Sequence, residues 1–228
     1  MTFDYLRYVL AGSGLTLGVS FGALALGTPL AFVLAAMRMS RLRVLRWPAA
    51  VVVELFRGTP GLVQLFWAFY VLPLFGVTLD PVPCAILILG VNHASYFSEV
   101  VRGAIDAVPR GQVDAAFSVH LTGFDRYRLV VLPQALPLMV PSFANAAIDT
   151  VKYSSVASLV TVNELTFRGI TVLNATGDTA VVLGTILLFY FAVSIVLSVV
   201  MRFVERLLAR WTNVDARVVS TVTSGAIA

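Results

Sequence analysis

The chain has 228 residues, of which 59% are hydrophobic and 12% charged, with a mean hydropathy of +0.91 and a net charge of +4. A soluble domain carries about 25% charged residues, so a water-soluble globule is excluded, as is a disordered chain, which needs low hydrophobicity and high charge. The positive charges are scattered over short loops rather than gathered on one groove-facing element, which excludes a nucleic-acid-binding module.

The single cysteine, Cys84, removes an internal disulfide and a cysteine metal cluster. Lysine occurs once, at Lys152, and no G-x-x-x-x-G-K-[ST] run is present. Any nucleotide energy must therefore come from another chain.

A membrane-crossing helix needs about 20 predominantly apolar residues. The first is predicted over 10–37; Asp4 precedes Arg7, and the apolar run is too long for a signal peptide. Four arginines follow, Arg38, Arg41, Arg43 and Arg46. The second span is predicted over 52–79. It is interrupted by Arg57-Gly58-Thr59-Pro60-Gly61, two glycines and a proline in five residues. Thr59 and Gln64 are expected as polar liners of a pathway there, whereas Phe66, Trp67, Phe69 and Tyr70 read as packing or lipid-facing aromatics. The third span is predicted over 81–101.

The connection 102–128 exceeds the usual helix–helix link of about 2–8 residues. Pro109 can open a helix, and Val113, Ala116 and Phe117 are expected to share its apolar face. Thr122 and Asp125 read as the cap of a second short helix, so the two should meet at a corner near His120. An apolar face outside the bilayer needs a cover, either the protein's own helix ends or a separate cytoplasmic protein.

The fourth span is predicted over 129–158. Pro133, Pro137 and Pro141 fall on one stripe, and Ser142 and Asn145 are candidate partners for the carbonyls that the prolines free. Asp149 and Lys152 are three apart on one face, as are Glu54 with Arg57 and Glu99 with Arg102. The first two of these six are expected to be buried in the membrane, where a charge costs at least about 2.5–3.5 kcal/mol. A zwitterion presents one carboxylate and one ammonium, which Lys152 and Asp149 could receive; the alternative is a self-contained ion pair that steadies a dimer of such chains. A polar outer connection, 161–178, leads to the fifth span over 179–203. One transmembrane domain thus covers 1–210, followed by a tail at 211–228. No internal repeat is visible. His93 and His120 are too few and too scattered for a metal site, and no arrangement of side chains points to catalysis.

Twelve of the sixteen basic residues fall on one side of these spans. Cytoplasmic loops collect Lys and Arg, which places the N-terminus outside and the C-terminus in the cytoplasm.

Several blocks then resemble a known family. Val113-Asp-Ala-Ala-Phe-Ser-Val-His120, followed by Val131-Leu-Pro133, is similar to the loop of ATP-binding-cassette (ABC) importer permeases. Glu54-Leu-Phe-Arg-Gly-Thr-Pro-Gly-Leu-Val-Gln-Leu-Phe66, Asn92-His-Ala-Ser-Tyr-Phe-Ser-Glu-Val-Val-Arg-Gly103, Leu132-Pro-Gln-Ala-Leu136, Lys152-Tyr-Ser-Ser155 and Asn163-Glu-Leu-Thr166 resemble the polar amino acid uptake permeases of that class. The resemblance spans residues 10 to 210, with Asp114 at the usual glutamate, His120 at the usual glycine, and Tyr153 at a commonly Asp or Asn position.

It implies an all-α membrane protein with the type I ABC importer fold: five transmembrane helices and a two-helix coupling loop. Gln112, Asp114, Ala115, Ala116, His120, Leu121 and Thr122 would dock on a separate ATPase. Asp149, Lys152, Tyr153 and Ser154, with Thr59 and Gln64, would line the substrate path. No cofactor is expected on this chain, and ATP and Mg belong to the ATPase. The implied partners are two ATPase copies, a second permease copy or paralogue, an extracytoplasmic solute-binding protein and an amino-acid-like solute, in a bacterial inner membrane. A self-sufficient secondary transporter or channel is the alternative, and a membrane anchor without transport a third reading. Both fit the docking-type loop and the charged pair less well.

Overall fold

The structure is a computed structural model that describes the backbone of residues 3–212. The expected tail beyond Thr212, with Arg217, lies outside the described residues. Ten α-helices carry the described chain: α1 (Phe3–Leu10), α2 (Ser13–Met39), α3 (Arg43–Gly58), α4 (Gly61–Phe66), α5 (Pro81–Asp106), α6 (Arg110–Ser118), α7 (Gly123–Arg126), α8 (Leu132–Tyr153), α9 (Leu165–Thr176) and α10 (Thr179–Thr212). Among the described residues four helical stretches are long and apolar enough to cross a membrane, and a fifth is counted if the bent pair α3–α4 is one span.

α2 and α5 form the centre, and small residues bring them together. A Cβ on Gly27 would run into the Gly90 carbonyl oxygen and come within 2.9 Å of His93 Cδ2, while one on Gly90 would lie 2.8 Å from Leu26 Cδ2. Ala23, Ala31, Ala85 and Ala94 are buried with them. Such backbone proximity replaces the water-driven burial that lipid cannot supply. Gly27→Val forces the two helices apart. We expect it to lower stability in detergent by about 1–3 kcal/mol, read as a drop in the thermal midpoint against wild type.

Two apolar clusters stack along this pair. One, near the Arg38 and Arg102 ends of α2 and α5, joins Leu34, Ala49, Val53, Phe97, Val101, Val108, Val131, Ala135 and Met139. The other joins Val19, Leu65, Cys84, Leu89 and Val160. α8 packs on α5 and on α10. The remaining face of α10 presents Leu187, Leu188, Phe191, Val196 and Phe203 outward, as expected where the solvent is hydrocarbon.

Three features depart from the sequence expectations, and the break expected at 57–61 is present as a sharp bend. The second span starts at Arg43 rather than 52, so Arg43 and Arg46 belong to a helix and not a loop. That helix turns by 110° into the segment Gly61–Phe75, because Thr59, held extended before Pro60 (φ −121°, ψ 145°), cannot continue it. The connection 161–178 contains α9, started by Glu164 and stopped by Gly177 in the left-handed region (φ 72°). A separate helix, α1, precedes the first span, and at Gly12, just before α2, a Cβ would sit 2.6 Å from the Leu165 nitrogen.

Glu164 ties α2, α9 and α10 together. It is fully buried. Its carboxylate accepts hydrogen bonds from Thr16 Oγ1 (3.0 Å), the Phe167 amide (2.9 Å) and the Tyr190 hydroxyl (3.2 Å). A buried carboxylate is tolerable because every bond of this kind replaces one to water.

Candidate functional site

Between the bend in the second span and helices α5 and α8 lies a groove of about 750 Å³. Thr59, Pro60 and Gly61 form its first wall, Asn92, His93 and Tyr96 its second, and Ser142 through Tyr153 its third. The bend makes the first wall polar, because it leaves the last carbonyls of α3 without helical partners. Gln64 covers two of them: its Nε2 donates to Phe56 O (2.8 Å) and Thr59 O (2.9 Å). The Gln64 oxygen accepts from Asn92 Nδ2 at 3.0 Å, which locks the broken helix to α5. Gln64, predicted as a liner, thus stands behind the wall as a brace.

The third wall carries charge. Lys152 Nζ lies 4.0 Å from Asp149 Oδ1, with side chains 57% and 77% exposed. Both groups lie within the span Gly123–Val160 and face open space at the groove. A gap of that length leaves them loosely engaged and available to a third charged group. Tyr153 leans on Gly61, where a Cβ would meet its Cε1 at 2.8 Å, so it closes one end between α4 and α8. Ser154 turns inward, fully buried, and donates to Val151 O (2.7 Å). Of the six predicted path residues, the fold brings Thr59, Asp149, Lys152 and Tyr153 to one groove and leaves Gln64 and Ser154 behind it.

Sequence reasoning did not assign Asn92, His93, Tyr96 or Asn145 to this surface. His93 is buried and bridges helices. Thr150 Oγ1 gives its only proton to Ala146 O (2.8 Å), so at 3.2 Å it accepts from His93 Nδ1. Nε2 is then left to accept from Thr28 Oγ1 on α2, 3.5 Å away. The ring stacks on Phe97 at 5.7 Å. The signal was present in the Asn92-His-Ala-Ser-Tyr96 block, but the histidine was weighed only as a metal ligand. Among the described residues no group of three or more His, Cys, Asp or Glu side chains is placed to hold a metal ion. Ser142 and Asn145, expected to serve the proline carbonyls, line the groove.

The ends of α2, α3 and α5 around Arg38 depart from the spacing rule. Glu99 pairs with Arg102 (2.9 Å) as expected, but Glu54 pairs with Arg38 (3.3 Å) and not Arg57. Arg57 instead sits 5.8 Å over the Tyr96 ring. Arg38 also holds Glu99 at 2.5 Å, so one arginine of α2 joins α3 and α5.

Below this knot lies the two-helix loop. His120 adopts φ 59°. The amides of His120 and Leu121 bond to Phe117 O (2.9 Å) and Ala116 O (3.2 Å), a left-handed helix stop that normally takes glycine. The Thr122 hydroxyl then accepts from the Asp125 amide (3.2 Å) and starts α7. The predicted shared face divides. Ala116 is buried and Val113 half-buried against the bundle, whereas Phe117 is 70% exposed beneath Arg126. Gln112, Asp114, Ala115, His120 and Thr122 are exposed and Leu121 half-buried. With Val119 and Phe124 also open, the loop keeps an apolar outer surface while resting on an apolar inner one.

The sequence has clear relatives. Residues 27–214 match the family described as binding-protein-dependent transport system inner membrane component. A probable amino-acid ABC transporter permease of Sinorhizobium fredii is 36% identical over 214 residues, covering 91% of this chain and 90% of that one. An L-cystine transport system permease of Bacillus subtilis is 40% identical over 187 residues (81% and 80% covered). An octopine transport system permease of Rhizobium radiobacter is 39% identical over 167 residues (69% and 68%). Among solved structures, an amino acid ABC transporter crystallised with histidines superposes with a TM-score of 0.83 at 29% identity, covering 90% of this chain and 99% of that one. A methionine ABC transporter in an inward-facing conformation shares the fold, with a TM-score of 0.76 at 23% identity over 91% of this chain and 99% of that one.

Proposed function

The chain belongs to the family of binding-protein-dependent transport system inner membrane components, and we propose that its α5–α8 groove is the path along which an amino-acid-like zwitterion crosses. It is a multi-pass inner-membrane permease subunit with the type I ABC importer fold, for amino-acid-like solutes, and a separate ATPase hydrolyses the ATP. The finer assignments are ours. The arginine-rich ends face the cytoplasm and the N-terminus lies outside. Two ATPase copies hold the paired loops and carry ATP and Mg. A second copy or paralogue completes the path, and an extracytoplasmic binding protein delivers the solute.

The observation that carries the reading is the loose pair Asp149–Lys152, set opposite the polar wall of Thr59, Asn92 and Tyr96. Lys152 receives the solute carboxylate and Asp149 its ammonium. The drive reaches this groove through packing. Val108, Val113 and Val131 around the loop belong to the same apolar cluster as Phe97 and Val101 of α5 and Ala135 and Met139 of α8. Close-packed interiors transmit displacement, so moving the loop moves the two helices that form the groove walls. Gln112, Asp114, Ala115, His120, Leu121 and Thr122 take up the ATPase contact, with Ala116 supporting them from inside.

The test is reconstitution of the chain with its ATPase and binding protein in liposomes. We expect ATP-dependent uptake of a free amino acid and none of the same compound as its carboxamide, which lacks the carboxylate. Flux by this chain alone, without ATPase, would replace this reading with a secondary carrier.

A further inference from the structure

A second cavity, of about 630 Å³, opens between the cytoplasmic-side ends of α2, α3 and α5, away from the α5–α8 groove. Arg38, Arg46, Arg102, Glu54 and Trp47 line it. Two of the three arginines are committed: Arg38 holds Glu99 and Glu54, and Arg102 holds Glu99 and Asp106. Arg46 has no carboxylate at ion-pair distance among the described residues, and it is exposed. Arg41 and Arg43 stand exposed just before it. The rim therefore carries more positive charge than its own carboxylates neutralise.

The hydrophobic side of the same helix says what sits beside that charge. α3 buries Ala49 and Val53 against the bundle, but Val44, Trp47, Val51 and Leu55 are 83%, 68%, 54% and 58% exposed. Helical spacing sets these four on one strip, next to the groove face of Arg46, Ala50 and Glu54. An apolar strip bordered by arginine, with a tryptophan at the border, matches the polar–apolar boundary of a bilayer. Basic pockets beside membrane helices attract anionic headgroups, while neutral lipids offer them no net charge.

We propose that this groove is a site for the headgroup of an anionic phospholipid, with its phosphate at Arg46 and its acyl chains along Trp47 and Val51. The site requires only that the chain spans a bilayer; the choice of leaflet follows from the inward placement of the arginine-rich ends. Its consequence is mechanical. The lipid would fix the α3 start against the Arg38 knot that joins α2, α3 and α5.

The probe is Trp47 fluorescence in the full chain with Trp67 and Trp211 replaced by phenylalanine. The chain is reconstituted in phosphatidylcholine vesicles doped with brominated phosphatidylglycerol or brominated phosphatidylcholine. We expect a roughly fivefold preference for the brominated phosphatidylglycerol, the order of one arginine at an anionic surface. It should be lost in Arg46→Gln and kept in Arg46→Lys. Equal quenching by the two lipids in the parent chain overturns the proposal. So does a preference that survives Arg46→Gln, or one abolished by inorganic phosphate, which would make a free anion the occupant. Absence of quenching by either lipid also overturns it, since a protein surface, such as a second copy, would then cover the strip.

Discussion

Lys152→Met is expected to reduce ATP-driven uptake by about 10- to 100-fold while the complex with the ATPase still assembles. The expectation follows from where the ammonium stands. It is 57% exposed at the groove, and its only ion-pair partner among the described residues is Asp149 at 4.0 Å. An exposed pair that long contributes little to stability, so removing it should leave the fold intact. A charge-assisted hydrogen bond to a solute carboxylate contributes about 1.5–3 kcal/mol, and about 1.4 kcal/mol is tenfold. The loss therefore appears in transport and in solute-stimulated ATPase activity, not in the thermal midpoint. Methionine keeps the length of the side chain, so a steric change is not the cause. Wild-type stimulation in Lys152→Met would remove the charged pair from the path. Asp149→Asn supplies the counterpart: uptake of solutes with a free ammonium should fall by a similar factor.

The spans were readable because hydropathy is a property of consecutive residues. The bend at Thr59–Gly61 and the corner at His120 were readable for a related reason: proline, glycine and a threonine cap act on their immediate neighbours. What failed was whatever depends on a second element. Glu54 and Arg57 have ideal spacing, yet Arg38 of α2 takes Glu54 and Tyr96 of α5 takes Arg57. Arg38, Arg41, Arg43 and Arg46 read as one loop, although Arg38 ends α2 and Arg43 and Arg46 begin α3, which Arg38 ties to α2 through Glu54. Gln64 looked like a liner because a polar residue in a span suggests water. Its actual partners are carbonyls left open by the bend a few residues earlier. Glu164 and Thr16 are 148 residues apart and meet only through the fold. Depth in an apolar sequence placed Asp149 and Lys152 in the span but not on the groove-facing side of α8, where the fold puts them. Depth along a helix does not say whether the face opens to lipid, protein or a groove.

Ala115→Trp is expected to abolish stable co-elution with the ATPase and with it all ATP-driven uptake, while the isolated chain keeps its wild-type thermal midpoint. The two adjacent alanines of the loop separate docking from folding. Ala115 is exposed on the outer side of α6; Ala116 is 4% exposed and faces inward. An indole at Ala115 meets no neighbour in this chain but holds a docked surface away, and overpacking of a close interface costs about 1–3 kcal/mol or more. That corresponds to a loss of about 10- to 100-fold in affinity. Ala116→Trp should do the reverse and lower the midpoint of the isolated chain, because the side chain has to enter the packing that supports α6. The comparison also addresses how the loop is held. Were the handle only a cover for its own helix ends, Ala116→Trp alone would destabilise the chain, and Ala115→Trp would change neither the midpoint nor co-elution. A folded Ala115→Trp chain that still co-elutes would show that the ATPase grips elsewhere, with Phe117, Val119 and Phe124 as the next surface to probe.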